Sequence, residues 1–234
     1  MLNALRFVML LGLSLSFISG CVVDPYGPQF APTALTAHSH HERAYNYEEQ
    51  RLYDQAIEEY NQALLIDPNY VSAYNNRGVA YSNKSALQES LGLHQEALEL
   101  RKKALADWIQ ALKLDPNLAA GRANIGCYLI YEGKYDAAIV WLNQALTRDT
   151  RMSQGYINRA LAFYYFGKYD KAREDVHRAQ DLGTVIDPRF LEALNKPTDR
   201  PDRSFIEEYG KFERTFKFRE PRVPVKRDWP VRWD

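Results

Sequence analysis

The sequence predicts an all-α chain: a helical solenoid of about four helix-turn-helix repeats, closed by a C-terminal capping helix and followed by an extended tail. Three observations predict it. Small and apolar residues recur at helical spacing through residues 37–184, helix stops stand at Asp67-Pro68-Asn69 and Asp115-Pro116-Asn117, and similar text returns with a period near 34 residues. Composition narrows the function. The 234 residues carry 30 basic and 30 acidic side chains, so nothing in the overall charge favours nucleic acid or another polyanion. Two cysteines are too few for a disulfide scaffold. Beyond residue 20 no stretch approaches the ~20 apolar residues that span a bilayer.

The N-terminus comes first. Arg6 precedes an apolar run from Phe7 to Ile18, and Ile18-Ser19-Gly20-Cys21 follows directly. This resembles the lipobox of bacterial lipoproteins, where a small residue stands before the cut and a thiol after it. The resemblance implies a signal peptide over residues 1–20 and a lipid, palmitate among its acyl chains, on Cys21. Each buried methylene of that lipid adds about 0.8 kcal/mol of membrane attachment. Val22 rather than Asp after the cysteine implies the periplasmic face of the outer membrane if the envelope is Gram-negative. An ordinary secretory signal or an uncleaved anchor are the alternatives. Residues 21–36, with Pro25, Gly27, Pro28 and Pro32 and no helical period, read as a tether.

The repeats follow. Tyr74, Gly78 and Tyr81, then Ala104, Trp108, Ala111 and Pro116, resemble the two helices and closing turn of a tetratricopeptide repeat. That resemblance implies a right-handed solenoid whose first helices line a concave groove for a peptide or a partner's helix. Repeats are expected at about 37–70, 71–118, 119–152 and 153–184. The first has a weak opening helix, with Ala44 at the small position and His40 where an aromatic is usual. The second is too long: Gly78 to Gly92 spans 14 residues where Gly126 to Gly133 spans seven. Ala97, Ala104 and Ala111 keep a seven-residue beat, as do Leu98, Leu105 and Leu112, so both helices are expected to gain two turns and project by about 10 Å. A loop over residues 83–89 is the alternative. In the extended form Leu87, Leu91, Leu98 and Leu105 hold the two helices together, and Leu87, Leu91, Leu93 and His94 near the turn are candidate interface residues. The third and fourth repeats carry Gly126, Tyr135, Ala138, Leu142 and Ala145, then Tyr156, Ala160, Tyr169, Ala172 and Ala179.

Residues 185–196 read as the cap, with Asp187 as N-cap, Pro188 in the first turn and Phe190, Leu191 and Leu194 covering the last repeat. Residues 197–234 hold a linker, a short helix and a tail rich in Pro, aromatics and basic residues. That tail is free to pack on its own array, bind a partner or remain disordered.

Candidate groove contacts are Asn75, Asn76 and Val79 in the second repeat, Ala123, Asn124 and Cys127 in the third, and Ile157, Asn158, Leu161 and Tyr164 in the fourth. An amide there can donate to and accept from a peptide backbone, or it can bond only to the neighbouring repeat. The Lys/Arg carboxylate clamp of chaperone-binding relatives is not matched: His41, Asn75, Ala123 and Ile157 stand on that face. His38, His40 and His41 form no convincing ligand set, so no metal is expected, and no cofactor either. Cys127 reads as a buried thiol rather than a redox centre. No nucleophile motif, phosphate loop or paired acid and base stands out, so no catalytic residue is assigned and the chain is not expected to be an enzyme.

The resemblance therefore implies a membrane-tethered protein–protein interaction scaffold or assembly adaptor in the bacterial cell envelope. Its partners would be an envelope protein or peptide and the membrane through Cys21, with no nucleic acid and the homo-oligomeric state left open. One alternative is a permanent structural subunit that uses the hairpin and tail as interfaces. Another is a polysaccharide- or small-ligand-binding module.

Overall fold

The computed structural model describes residues 36–196. Among them stand nine helices: α1 (Ala37–Glu49), α2 (Tyr53–Ile66), α3 (Val71–Ser90), α4 (His94–Leu114), α5 (Ala119–Tyr131), α6 (Tyr135–Arg148), α7 (Ser153–Tyr165), α8 (Tyr169–Asp181) and α9 (Pro188–Asn195). They pair as α1/α2, α3/α4, α5/α6 and α7/α8, and each pair packs on the next through α2/α3, α4/α5 and α6/α7. The all-α repeat array expected from the text is what the chain forms.

Two turn chemistries alternate along it. Inside each of the four pairs one residue takes the left-handed region, and the amide after it bonds back to a carbonyl five residues earlier. Gly92 (φ 77°), Gly133 (φ 74°) and Gly167 (φ 78°) serve three of the turns, and Arg51 (φ 61°) serves the first. The closing bonds are Leu52 N–H to Tyr47 O at 2.9 Å, Leu93 to Gln88 at 3.0 Å, Lys134 to Leu129 at 2.8 Å and Lys168 to Phe163 at 2.8 Å. This pattern satisfies carbonyls that a helix end leaves open. Between pairs an aspartate ends the helix and its carboxylate accepts from the amide two residues on: Asn69 to Asp67 at 3.0 Å, Asn117 to Asp115 at 2.8 Å and Arg151 to Asp149 at 2.9 Å. Asp187 repeats the device as N-cap of α9, accepting from Arg189 N–H at 2.8 Å, with Pro188 in the first turn.

Small residues set how closely the paired helices approach. A Cβ on Gly78 would fall 2.5 Å from Trp108 Nε1, and one on Gly126 would fall 2.6 Å from Leu142 Cγ. Ala44 and Ala160 hold the same place in the first and fourth pairs and are fully buried. Opposite them Ala56, Ala97, Ala104, Ala138 and Ala172 are buried too. Interiors at this density have no room for a larger side chain.

The second pair is long by one continuous extension. α3 and α4 have 20 and 21 residues, against 13 and 14 for α5 and α6. Residues 83–89 are helical, not a loop. The seam of the extension differs from expectation, however. Ser85, Ala97 and Leu100 are the buried residues there, Leu98 and Leu105 are half-buried, and Leu87 and Leu91 are exposed. Small side chains on the facing turns let the helices close without those two leucines.

At the far end Phe190 and Leu194 of α9 join Ile157, Leu161, Tyr164, Val176 and Ile186 in one buried core. Leu191 packs on its rim, and Arg173 Nη1 donates to the Leu194 carbonyl at 2.8 Å. The signal peptide and tether, with Cys21, and the tail over 197–234 lie outside the described residues. Among the described residues no helix is long and apolar enough to cross a membrane.

Candidate interaction surfaces

The first-helix residues expected to face a groove are turned inward. Asn75, Asn76, Val79, Ala123, Asn124, Ile157, Asn158, Leu161 and Tyr164 are all buried, and Cys127 is half-buried. The amides tie first helix to first helix. Asn76 Nδ2 lies 3.0 Å from His41 Nε2, Asn75 Nδ2 donates to Asn76 Oδ1 at 3.1 Å, and Asn124 Nδ2 donates to Asn75 Oδ1 at 3.1 Å. Asn158 Nδ2 continues the series to Cys127 Sγ at 2.6 Å. Amides so committed answer the need of buried polar groups for partners and leave little to offer a ligand. Ile157, Leu161 and Tyr164 are covered for a different reason: they share the α9 core, where the Tyr164 and Phe190 rings meet edge to face at 5.8 Å. None of these residues forms an open wall.

A second repeating constellation was not anticipated. In the second pair Arg77 donates to both oxygens of Asp107, at 2.8 and 2.6 Å, and to Asn61 Oδ1 of α2 at 2.8 Å. The fourth pair repeats it: Arg159 bonds Asp175 at 2.8 and 2.6 Å and Asn143 Oδ1 of α6 at 2.7 Å. The first pair has a simpler form, Arg43 to Glu59 at 3.1 and 2.8 Å, with His40 Nδ1 also 2.7 Å from Glu59. Burial raises the carboxyl pKa of Asp107 and of Asp175 above the ordinary value even with the arginine beside each. For Arg77 burial works against the charge, but Asp107 outweighs it and the pKa is raised. The signal was present in the text. Arginine and acid stand 16 residues apart in the first and fourth pairs and 30 apart in the second, which is 16 plus the 14 inserted residues. In the third pair the same register holds Ile125 and Trp141, with Ile109 in place of the asparagine.

The hairpin offers what the groove does not. Leu87, Leu91 and Leu93 are exposed, Leu91 at 64 %, and His94 is exposed beside them. Behind the turn Glu89 accepts from Arg101 at 3.0 Å and lies 2.7 Å from His94. Burial would raise its pKa, but those two partners pull it below the ordinary carboxylate range. Arg101 also lies 4.5 Å above the Tyr131 ring and donates to its hydroxyl at 3.1 Å, which braces the extension against α5.

Family models place this geometry. One described as TPR repeat matches residues 47–85, and one described as tetratricopeptide repeat matches residues 76–151. Residues 47–151 of the chain therefore match tetratricopeptide-repeat models. Solved tetratricopeptide-type arrays superpose on it: TTC0263 from Thermus thermophilus at TM-score 0.57 and 21 % identity, covering 68 % of this chain and 82 % of that one. PilF from Pseudomonas aeruginosa gives TM-score 0.53 at 18 % identity, covering 77 % and 73 %. Among curated proteins, Photosystem I assembly protein Ycf3 of Rippkaea orientalis is 38 % identical over 64 residues, 27 % of this chain and 37 % of its own length. Hsp70-Hsp90 organizing protein 3 of Arabidopsis thaliana is 27 % identical over 110 residues, 47 % of this chain and 17 % of its own length. The chain thus spans well under half of either curated relative.

Tetratricopeptide arrays are protein–protein interaction scaffolds, and the regular elements among the described residues here are all helices. His38, His40 and His41 go to separate partners: Tyr70 hydroxyl at 3.2 Å, Glu59 and Asn76. Among the described residues no group of three His, Cys, Asp or Glu is placed to hold a metal ion. Cys127 is half-buried rather than sealed in the core.

Proposed function

We propose that this tetratricopeptide protein is a lipid-tethered assembly adaptor of the bacterial cell envelope, which presents its lengthened hairpin to another envelope protein. The observation that carries the reading is the hairpin itself. Its two helices each run seven residues longer than those of the third pair, and they end in three exposed leucines. An apolar tip on a braced stem has the composition of a docking element, since exposed apolar clusters mark interaction sites. The envelope assignment rests on Ile18-Ser19-Gly20-Cys21, with Cys21 as the lipidated residue, and the outer membrane on Val22. The relatives named for assembling or organising other proteins support the adaptor role by analogy only.

A photo-crosslinking residue at Leu91 in the full chain, expressed in its own cell, tests this. A discrete adduct that vanishes in the Leu87→Ser/Leu93→Ser background is expected, and Cys21→Ser should release the protein from membranes. An uncrosslinked tip, with adducts forming only from other surfaces, would refute the hairpin as the docking element. The rigid brace from Arg101 to Glu89 and Tyr131 favours a second reading, a permanent subunit of an envelope complex. Co-purification that survives gentle extraction and prolonged washing separates that reading from transient docking.

A further inference from the structure

Four buried side chains on the first helices stand in one hydrogen-bonded line, and the line has a direction. Asn124 Nδ2 of α5 donates to Asn75 Oδ1 of α3 at 3.1 Å, Asn75 Nδ2 donates to Asn76 Oδ1 at 3.1 Å, and Asn76 Nδ2 lies 3.0 Å from His41 Nε2 of α1. An amide nitrogen only donates, so His41 Nε2 accepts and the neutral ring carries its proton on Nδ1. Each asparagine shows its oxygen to one neighbour and its nitrogen to the next. The lone pair of His41 fixes which way all three point.

A proton at Nε2 removes that lone pair, and the ring then donates from both nitrogens. Asn76 can answer only with Oδ1, the atom that accepts from Asn75. Turned end for end, the line runs from His41 Nε2–H to Asn76 Oδ1, from Asn76 Nδ2–H to Asn75 Oδ1, and from Asn75 Nδ2–H to Asn124 Oδ1. Three bonds stand before and three after, and the proton comes from water. The backbone is held meanwhile: Trp108 Nε1 donates to the Asn75 carbonyl at 3.2 Å, and Gly78 one turn on has no room for a Cβ beside that ring. Rotation of the amides, whose two ends are nearly equal in size, is the response left.

The surroundings of His41 serve both states. Among the described residues, Glu42 of α1 lies 3.9 Å from Nδ1, and the Tyr60 ring of α2 and the Tyr70 ring before α3 lie 5.5 and 5.1 Å from the imidazole. Glu59 of α2 is taken by His40 and Arg43. The carboxylate on the Nδ1 side favours the charged ring, and the bond accepted at Nε2 favours the neutral one. We infer that His41, Asn76, Asn75 and Asn124 form a proton-operated relay, in which a proton taken up at His41 Nε2 reverses the three amides and carries the event from the first helix pair to the third. The physical basis is an element with two discrete, fully bonded arrangements. The relay is independent of the hairpin and of the anchor at Cys21.

Side-chain amide NMR on the full chain in mild detergent, labelled at the asparagine and histidine nitrogens, tests it from about pH 8 to about pH 5, where imidazole ordinarily ionises. The amide signals of Asn76, Asn75 and Asn124 should shift together with one midpoint, that of the His41 ring, although Asn124 stands two repeats away. In His41→Gln all three should stay flat, and in His40→Gln they should still move. Asn75→Ala cuts the line, so Asn76 should keep its response and Asn124 should lose it. If that variant does not fold, the two glutamine variants still decide. An Asn124 signal that ignores pH in the unaltered chain, still titrates in His41→Gln, or goes flat in His40→Gln would overturn the inference.

Discussion

Arg77 and Ile125 hold the same register in successive repeats and solve one packing problem with opposite chemistry. Arg77 is clasped between Asp107 and Asn61; Ile125 lies in one cluster with Trp108, Leu105, Leu112 and Trp141. Both leave a filled crossing between the paired helices, so the fold requires the space to be occupied, not the charges. The charged solution carries a desolvation cost that the pair must offset, and it orients the guanidinium through three donors. The apolar one carries no such cost, but it extends to the surface at Ile109 and Trp141. The fourth pair repeats the charged solution with Arg159, so the apolar crossing interrupts an otherwise polar flank.

Removing one partner should expose the difference most. In Arg77→Ile the Asp107 carboxylate stays buried without its cation, which should cost about 3 kcal/mol at neutral pH, the low end for a broken buried pair because the Arg77 side chain is 19 % exposed. Urea unfolding measures it. The pH dependence has a definite sign. Asp107 already titrates above its ordinary value in the folded chain, and loss of Arg77 lifts it further. The penalty is therefore complete above the folded-state pKa and disappears as pH falls below the unfolded one, so the deficit of the variant should shrink in acid. A deficit that grew in acid would mean that Asp107 is not the group left stranded.

Converting the whole constellation should have a smaller effect. Asn61→Ile/Arg77→Ile/Asp107→Leu rebuilds the second crossing in the manner of the third. Leucine is used in place of tryptophan because Tyr81 and Lys103 are bulkier than their counterparts Leu129 and Ala137. Apolar replacement of a buried ion pair is often neutral or stabilising by about 1–4 kcal/mol. The triple variant is expected to equal or exceed the parent in urea midpoint, even though it contains Arg77→Ile. If it instead fell as far as the single variant, the charges would be a requirement of that crossing and the equivalence of the two registers would fail.

Much of the array was legible because its signals are spacings. The beat of Ala97, Ala104 and Ala111 carried α4 through its full length, and Asp187-Pro188 gave the start of α9. What failed were statements about which side of a helix faces out. Leu87 and Leu91 look like seam residues by type, yet a seam lined by Ser85 and Ala97 is already closed. The recurring asparagines were visible, but an amide serves a ligand and a neighbouring helix equally well. Only the 3.0 Å approach of Asn76 to His41 and the 3.1 Å bond from Asn124 to Asn75 decide between them. The pairing of Arg77 with Asp107 is hard to see in the text because the insertion stretches their separation to 30 residues, against 16 for Arg43/Glu59 and Arg159/Asp175.

The smallest expected effect lies at the turns. Gly92, Gly133 and Gly167 adopt the left-handed region without a Cβ, while Arg51 occupies the same place in the first pair at φ 61°. For a residue with a side chain that region costs about 1–2 kcal/mol. Its closing bonds, Arg51 N–H to Glu48 O at 2.9 Å and Leu52 N–H to Tyr47 O at 2.9 Å, need only the backbone. The Arg51 side chain is exposed, so little is lost with it. Glycine gives back some of the gain through its extra freedom in the unfolded chain. Arg51→Gly should therefore stabilise the protein by about 0.5–1 kcal/mol, read as a higher urea midpoint at unchanged slope. Gly133→Arg, the reverse exchange in the third pair, should lower the midpoint by a similar amount. Equal and opposite shifts would show that the first pair is folded by the same turn rule as the rest and carries its strain only at Arg51.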